Sequence, residues 1–329
     1  MANRISVIAP SRIHFGLFGG KNRTGVSYGG IGAMVSEPGL HLVLSESEEY
    51  EYVGKQSNRI QRFAETWMEF AELRSEKPFR IELLASPQSH IGLGTGTQLG
   101  LSVAAALFQF YFDEVPSVER LSQSVQRGQR SAVGTYGFMH GGFIVDRGKT
   151  DGDKLAKIDM HLPIPTDWRF VLIKADANAG KSGLEEESVF QDTTSDKNKL
   201  RAELIEMANA KIVPSLLNED FNSFSNAVYE FGRTSGQYFA EVQGGPFNGP
   251  RITEMVRLIR ELGTAGAGQT SWGPTVYAIL ESQTDANQLV GHLSQHLMPN
   301  ETIQIAKPAD DGARVMIEST TVKSKAKTF

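Results

Sequence analysis

Over Phe79–Leu84 apolar and polar residues alternate, with Arg80 and Glu82 opposite Ile81 and Leu83. That period of two predicts a strand with one covered face. Ile5–Ala9 and His41–Leu44 read as strands as well. Over Arg59–Leu73 the period lengthens to that of a helix, placing Phe63, Trp67 and Phe70 on one stripe that packs a core. Leu99–Phe112 is apolar nearly all round, which predicts a buried helix, and Glu119–Arg130 gives another. A glycine-rich stretch, Gly134–Gly142, then leads into the strand Phe143–Asp146. Arg147–Lys157 is polar and reads as an exposed turn or hairpin. Beyond it come the strand Phe170–Lys174 and a mostly helical region, Gly183–Arg233. The helix Ile252–Leu262 is followed by a glycine-rich turn, the strand Thr275–Glu281, the helix Asp285–Leu297 and the strands Thr302–Ala306 and Ala313–Glu318. This ending resembles a split β-α-β sandwich. No internal repeat is visible, and a soft boundary between about 150 and 180 suggests two domains, 1–165 and 166–329.

Charge and composition narrow the function. A formal charge of −5 gives no basic face for general nucleic-acid binding, and the short Lys323–Lys327 cluster reads as a solvated tail. No cysteine is present, so disulfides, thiolate nucleophiles and cysteine zinc sites are excluded. No run approaches the roughly 20 apolar residues of a membrane span, and the N-terminus is too short and polar for a secretory signal. A cytoplasmic enzyme of small molecules fits these facts.

The candidate chemistry lies in Pro87–Gln98, PQSHIGLGTGTQ, which runs straight into the apolar helix. Gly92, Gly94 and Gly96 free the backbone to curl, while Thr95, Thr97 and Gln98 add polar side chains. Amide hydrogens and the positive dipole end of the helix would face whatever the loop encloses. That is a cradle for phosphate. A second segment, Ala175–Ser182, loosely fits a P-loop, but Ala175 stands where glycine is usual and no apolar strand ending in a magnesium-binding Asp follows.

Three segments together resemble the GHMP kinase superfamily: Ala9–Gly16, Pro87–Gln98 and Gly266–Ala278. Four blocks are closer still to one atypical branch, the β-ribofuranosylaminobenzene 5′-phosphate synthase family. These are Ser11–Gly16, Gly29–Gly32, His140–Phe143 and Ser271–Ala278. The resemblance implies an α+β, two-domain GHMP kinase-like fold: an N-terminal domain like ribosomal protein S5 domain 2 and a ferredoxin-like C-terminal domain. It also implies transfer of phosphoribosyl pyrophosphate to 4-aminobenzoate or 4-hydroxybenzoate. CO2 and pyrophosphate leave, and a carbon–carbon bond forms on the route to tetrahydromethanopterin. A homodimer is implied with it.

That chemistry needs two anchored phosphate groups, a stabilised ribosyl cation and a dry site. Mg²⁺ would neutralise the leaving group as a Lewis acid. Arg12, Arg127 and Arg130 are candidates to fork onto phosphate or carboxylate, and Lys181 and Ser271 to contact phosphate. His14 and His140 lie in matched segments and could donate to phosphate or guide the acceptor's para substituent; each could equally be a backbone-satisfied histidine. Asp146, at a strand end, is a candidate Mg²⁺ ligand or a cap. Tyr28 and Trp272 flank glycine turns and could sandwich the ring. Because loss of CO2 restores aromaticity, no strong base is needed to take a ring proton. Gly134–His140 accordingly lacks the Asp that many kinases of this superfamily carry there. The paired acidic residues and threonine-rich loop of common phosphoribosyltransferases are absent as well. An ATP-dependent small-molecule kinase and a non-catalytic binder remain the alternatives.

Overall fold

A computed structural model describes residues 4–19, 25–73, 77–177, 195–318 and 325–328. The strands are β1 (Arg4–Leu17), β2 (Gly30–Glu46), β3 (Glu51–Val53), β4 (Phe79–Ala85), β5 (Phe143–Asp146), β6 (Ile158–Leu162), β7 (Arg169–Lys174), β8 (Gly266–Gln269), β9 (Thr275–Leu280), β10 (Thr302–Ala306), β11 (Arg314–Glu318) and β12 (Lys325–Thr328). One sheet has the order β12-β11-β1-β2-β4-β3, with β5 pairing β2 and β6. The other has the order β10-β7-β9-β8, all pairs antiparallel. In chain order that is fourth, first, third, second, the ferredoxin-like arrangement. It also removes the P-loop reading of Ala175–Ser182, since that fold needs a parallel sheet. Residues 178–182 of that segment, Lys181 among them, lie outside the described residues.

Four helices belong to the first half: α1 (Ser57–Phe70), α2 (Thr95–Phe112), α3 (Val118–Ser124) and α4 (Val133–His140). The second half has α5 (Ser195–Met207), which runs through one π turn into α6 (Val213–Leu217). After it come α7 (Phe221–Gly236), α8 (Ala240–Gln243), α9 (Gly249–Glu261) and α10 (Gln283–Leu293). The helix α2 is buried over most of its length because its sequence offers no polar face, and it lies between α1 and the first sheet. Trp67 of α1 meets Phe108 of α2 edge to face at 5.1 Å. A second core joins the halves through Phe15, Phe143, Phe231 and Tyr277, and a third packs α9 and α10 on the second sheet.

Two expectations change. The end of the chain does not stay in the second half: β11 pairs with β1, Ile5 opposite Ile317, so the boundary at 166 does not hold to the terminus. And Gly134–Gly142 is largely a helix, α4, despite its glycines. Its first turn is held from outside: the Asp146 carboxylate accepts from Ala132 N at 2.6 Å.

Candidate active site

Strand β1 supplies Arg12 and His14, two residues apart and therefore on one face of the strand. Register shifts at Ala9/Ser11 and His14/Gly16 bracket this stretch. Beside it the loop before α2 curls with Gly92 at φ +89° and Gly94 at φ +69°. A side chain on Gly92 would collide with the Thr270 carbonyl, and one on Gly94 would sit 3.0 Å from Arg12 Nε. Gly94 is also the N-cap of α2, and no side chain caps the helix, so its leading amides are left to other partners.

The turn after β8 braces this loop. Thr270 Oγ1 donates to Gly92 O at 2.9 Å and accepts from His14 N at 2.9 Å. Arg12 N donates to Leu93 O at 3.1 Å, and Arg12 Nη1 donates to Ser271 Oγ at 3.0 Å. One strand, one glycine loop and one turn from the other half are thus tied together.

They enclose a cavity of about 540 Å³. Its lining includes Arg12, His14, His90, Gly92, Thr97, Arg127, Arg130, Ser131, Gly134 and Ser271. It also includes the apolar Phe15, Leu17, Phe239, Pro246, Phe247 and Trp272, with Phe239 and Trp272 edge to face at 4.3 Å. Among the described residues of the lining there is no Asp, Glu, Lys or Tyr.

Burial and the neighbouring Arg12 charge hold the pKa of His14 well below its ordinary value, so its imidazole is neutral at pH 7. His14 Nε2 shares a 3.1 Å hydrogen bond with Ser131 Oγ. Arg127 lies over the Phe63 ring at 4.7 Å, and its Nε is buried with no partner among the described residues. Burial, then the charges of Arg59, Arg62 and Arg130, bring its pKa down to about 10.

Not every candidate reaches this cavity. Gln98 sits one turn into α2 and spends its amide on Gly134 O at 2.8 Å, while Thr95 Oγ1 donates to Gln88 O at 3.2 Å. Gly94 and Gly96 shape the loop from behind the lining. His140 is exposed at the far end of α4, near His161 at 5.6 Å between rings. Tyr28 is also away from the lining, so it cannot sandwich a ring against Trp272. Asp146 is fully buried, its oxygens accepting from Ala132 N at 2.6 Å and Gly148 N at 2.8 Å. Burial pushes its pKa up to about 6 against those bonds. It is a cap, placed off the cavity.

Sequence reasoning passed over Arg59 and Thr270. Arg59 reads as part of a core helix, yet it puts a cation in the first turn of α1, where the dipole disfavours one. That anomaly was the available signal. Thr270 lies within the matched segment Gly266–Ala278, but its own role is set by contacts 178 and 256 positions away.

Residues 212–297 match the family described as GHMP kinases, C terminal. The chain is 24% identical over 327 residues to a beta-ribofuranosylphenol 5′-phosphate synthase of Methanothermobacter thermautotrophicus, covering 92% of this chain and 96% of that protein. A protein of the same name from Archaeoglobus fulgidus is 29% identical over 285 residues, covering 83% and 87%. Among solved structures, mevalonate diphosphate decarboxylase from Staphylococcus aureus superposes with TM-score 0.66 at 14% identity, covering 96% of this chain and 98% of that one. Homoserine kinase from Cytophaga hutchinsonii gives 0.65 at 14%, covering 95% and 97%. At these identities the solved structures establish the fold. Residues 212–297 thus match the C-terminal family of the GHMP kinases, and the two-domain α+β architecture is the fold of those solved structures.

Proposed function

We propose that this protein is a phosphoribosyltransferase that joins phosphoribosyl pyrophosphate to 4-hydroxybenzoate or 4-aminobenzoate, on the route to tetrahydromethanopterin. The observation that carries the reading is one cavity lined both by arginines beside a glycine loop and by aromatic side chains. The names of the relatives add a phenol product, which puts oxygen on the ring and favours the hydroxy acceptor.

In this reading the bond from ribose C1 to the diphosphate oxygen breaks with its electron pair leaving on oxygen. The ring carbon bearing the carboxylate gives a pair to C1. The pair of the carbon–carboxylate bond then returns to the ring, and CO2 departs. The loop amides and Arg12, anchored by Ser271, hold phosphate; Thr97, Arg127 and Arg130 stand beside them. Neutral His14 offers a hydrogen bond without adding a charge beside the forming cation. Phe239, Phe247 and Trp272 cover the ring and keep water out. A cytoplasmic homodimer belongs to the same reading.

The described residues do not fit a protein-held Mg²⁺. None of the lining is a carboxylate, Asp146 faces elsewhere, and among the described residues no group of three His, Asp or Glu is placed to hold a metal. In this reading the charge on the leaving group is met by the chain's own cations.

The test is incubation of purified protein with phosphoribosyl pyrophosphate and ring-carboxyl-labelled 4-hydroxybenzoate or 4-aminobenzoate. Labelled CO2 released in step with pyrophosphate is the expected result. ATP consumption with a phosphorylated product and no CO2 would make it a kinase, and binding without turnover would make it a binder.

A further inference from the structure

Arg127 and Arg59 stand out among the arginines of this chain. Several other guanidinium groups meet carboxylates: Arg251 on Glu301, Arg80 on Glu51, Arg233 on Glu230; Arg201, also buried, bonds the carbonyls of Gly19 and Tyr28. Arg127 lines the cavity with its face on Phe63 and has neither a hydrogen-bond acceptor nor a carboxylate among the described residues. Arg59 is half-buried and bonds only neutral oxygens, Gln56 Oε1 at 2.8 Å and Ser89 Oγ at 2.7 Å. Its Nη2 lies 2.5 Å from where a side chain on Gly96 would begin, which puts the guanidinium against the first turn of α2.

An unpaired cation taken out of water is unfavourable unless something negative meets it. Here two such groups, close enough for Arg59 to depress the ionisation of Arg127, flank the positive end of an 18-residue helix. Neither is supplied with an anion by the described residues. The ligand must supply it, and it must carry several charges to satisfy both. A diphosphate does, and guanidinium forks match its oxygens two at a time.

We propose that Arg127, with Arg59 beside it, seats the diphosphate of the donor and neutralises it, so that donor binding needs no divalent cation. The inference rests on the transferase reading for the identity of the donor, but not for the charge of the ligand. When the C1–oxygen bond breaks, the electron pair arrives on an oxygen already facing fixed guanidinium charge, and no metal has to move with the leaving group.

Calorimetric titration with inorganic pyrophosphate and with phosphoribosyl pyrophosphate, in EDTA and in excess Mg²⁺, tests this. The wild-type dissociation constant for pyrophosphate should change by less than about threefold between the two buffers. Arg127→Gln should weaken binding by about thirtyfold and Arg59→Gln by about tenfold, thermal unfolding confirming that each is folded. Loss of wild-type pyrophosphate binding in EDTA overturns the proposal, even if neither variant folds. So does wild-type affinity in both variants. Metal-free pyrophosphate binding with no CO2 release would sink the transferase reading alone. CO2 release in Mg²⁺ by a protein that cannot bind donor in EDTA would sink this proposal alone.

Discussion

In the C-terminal half, Arg251 forks onto Glu301, with Nε to Oε1 at 2.9 Å and Nη2 to Oε2 at 2.5 Å. Met298 N and Asp176 N fill the remaining positions on that buried carboxylate at 2.9 Å each. Burial pushes the Glu301 pKa up, but Arg251 and those amides outweigh it and the carboxyl ends below its usual range. At the cavity, Arg127 is set on an aromatic ring, with other arginines for neighbours and no carboxylate among the described residues. The first arrangement is closed: both oxygens of the Glu301 carboxylate accept two bonds each, and four of the five guanidinium N–H groups of Arg251 have a partner inside the chain. The second is open. A closed charge network holds loops together; an open one stores electrostatic potential for a ligand.

Breaking the closed network should give the largest effect. Glu301→Gln leaves Arg251 with only the more exposed Glu254 as counter-charge and should lower unfolding free energy by about 3 kcal/mol. Denaturant melts measure this, and pyrophosphate affinity of the folded fraction should not move. Next comes Arg12→Ala, which removes the group tied to Ser271 and packed on Gly94. It should cut kcat/KM for the donor by about a hundredfold, roughly 3 kcal/mol, with stability changed by less than about 1 kcal/mol. Steady-state kinetics alongside a thermal melt would separate the two. A stability loss as large as that of Glu301→Gln would mean Arg12 belongs to the closed kind.

The contrast also marks what a sequence discloses. Period and length disclose α2, β7, β9 and β10 to within a few residues, because each satisfies its pattern locally. The helix expected over Glu119–Arg130 stops at Ser124, since Gln126 and Gly128 take positive φ, 54° and 76°. The glycine-rich turn expected between Leu262 and Thr275 contains a strand, β8, completed by β9 opposite it. Strand partners are equally silent: nothing in Arg314–Glu318 announces pairing with β1 rather than β10. At the site, glycine spacing points to the loop, and motif position points to Arg12, His14 and Ser271. It does not say which side chains turn inward. Thr95 and Gln98 share the motif with Thr97, but the start of α2 at Thr95 turns Gln98 toward α4. Whether an arginine has met a carboxylate is a property of distant chain, so Arg59 and Arg251 look alike until they are folded.

His14 sharpens the comparison through pH. Its folded pKa lies below the unfolded value near 6.5, so the unfolded chain binds more protons as pH drops through that value. The contribution of His14 is therefore fully present above pH 6.5 and is lost as pH falls below it, by at most about 1.4 kcal/mol per pH unit. Asp146 opposes this: its folded pKa of about 6 exceeds its unfolded value of 3.8, so its contribution is present below 3.8 and lost as pH rises through 6. In His14→Gln the acid-side fall in stability should flatten, read as unfolding free energy at pH 7 and pH 5. An unchanged slope would place an acid-labile group elsewhere.

The smallest effect separates open from closed most directly. Arg127→Gln removes a desolvated charge that repels Arg59, Arg62 and Arg130 and breaks no ion pair. It also forfeits the guanidinium face on Phe63, a contact that contributes about 0.5–1 kcal/mol. The two terms oppose each other, so stability without ligand should change by less than about 1 kcal/mol, and relief of repulsion should make any gain larger at low salt. Added pyrophosphate should then raise the melting temperature of the wild type and leave that of Arg127→Gln nearly unmoved, because only the wild type has a potential to discharge. If the variant instead melts far below the wild type in the absence of ligand, Arg127 was a structural residue whose partner is the Phe63 ring, and the open end of the comparison closes.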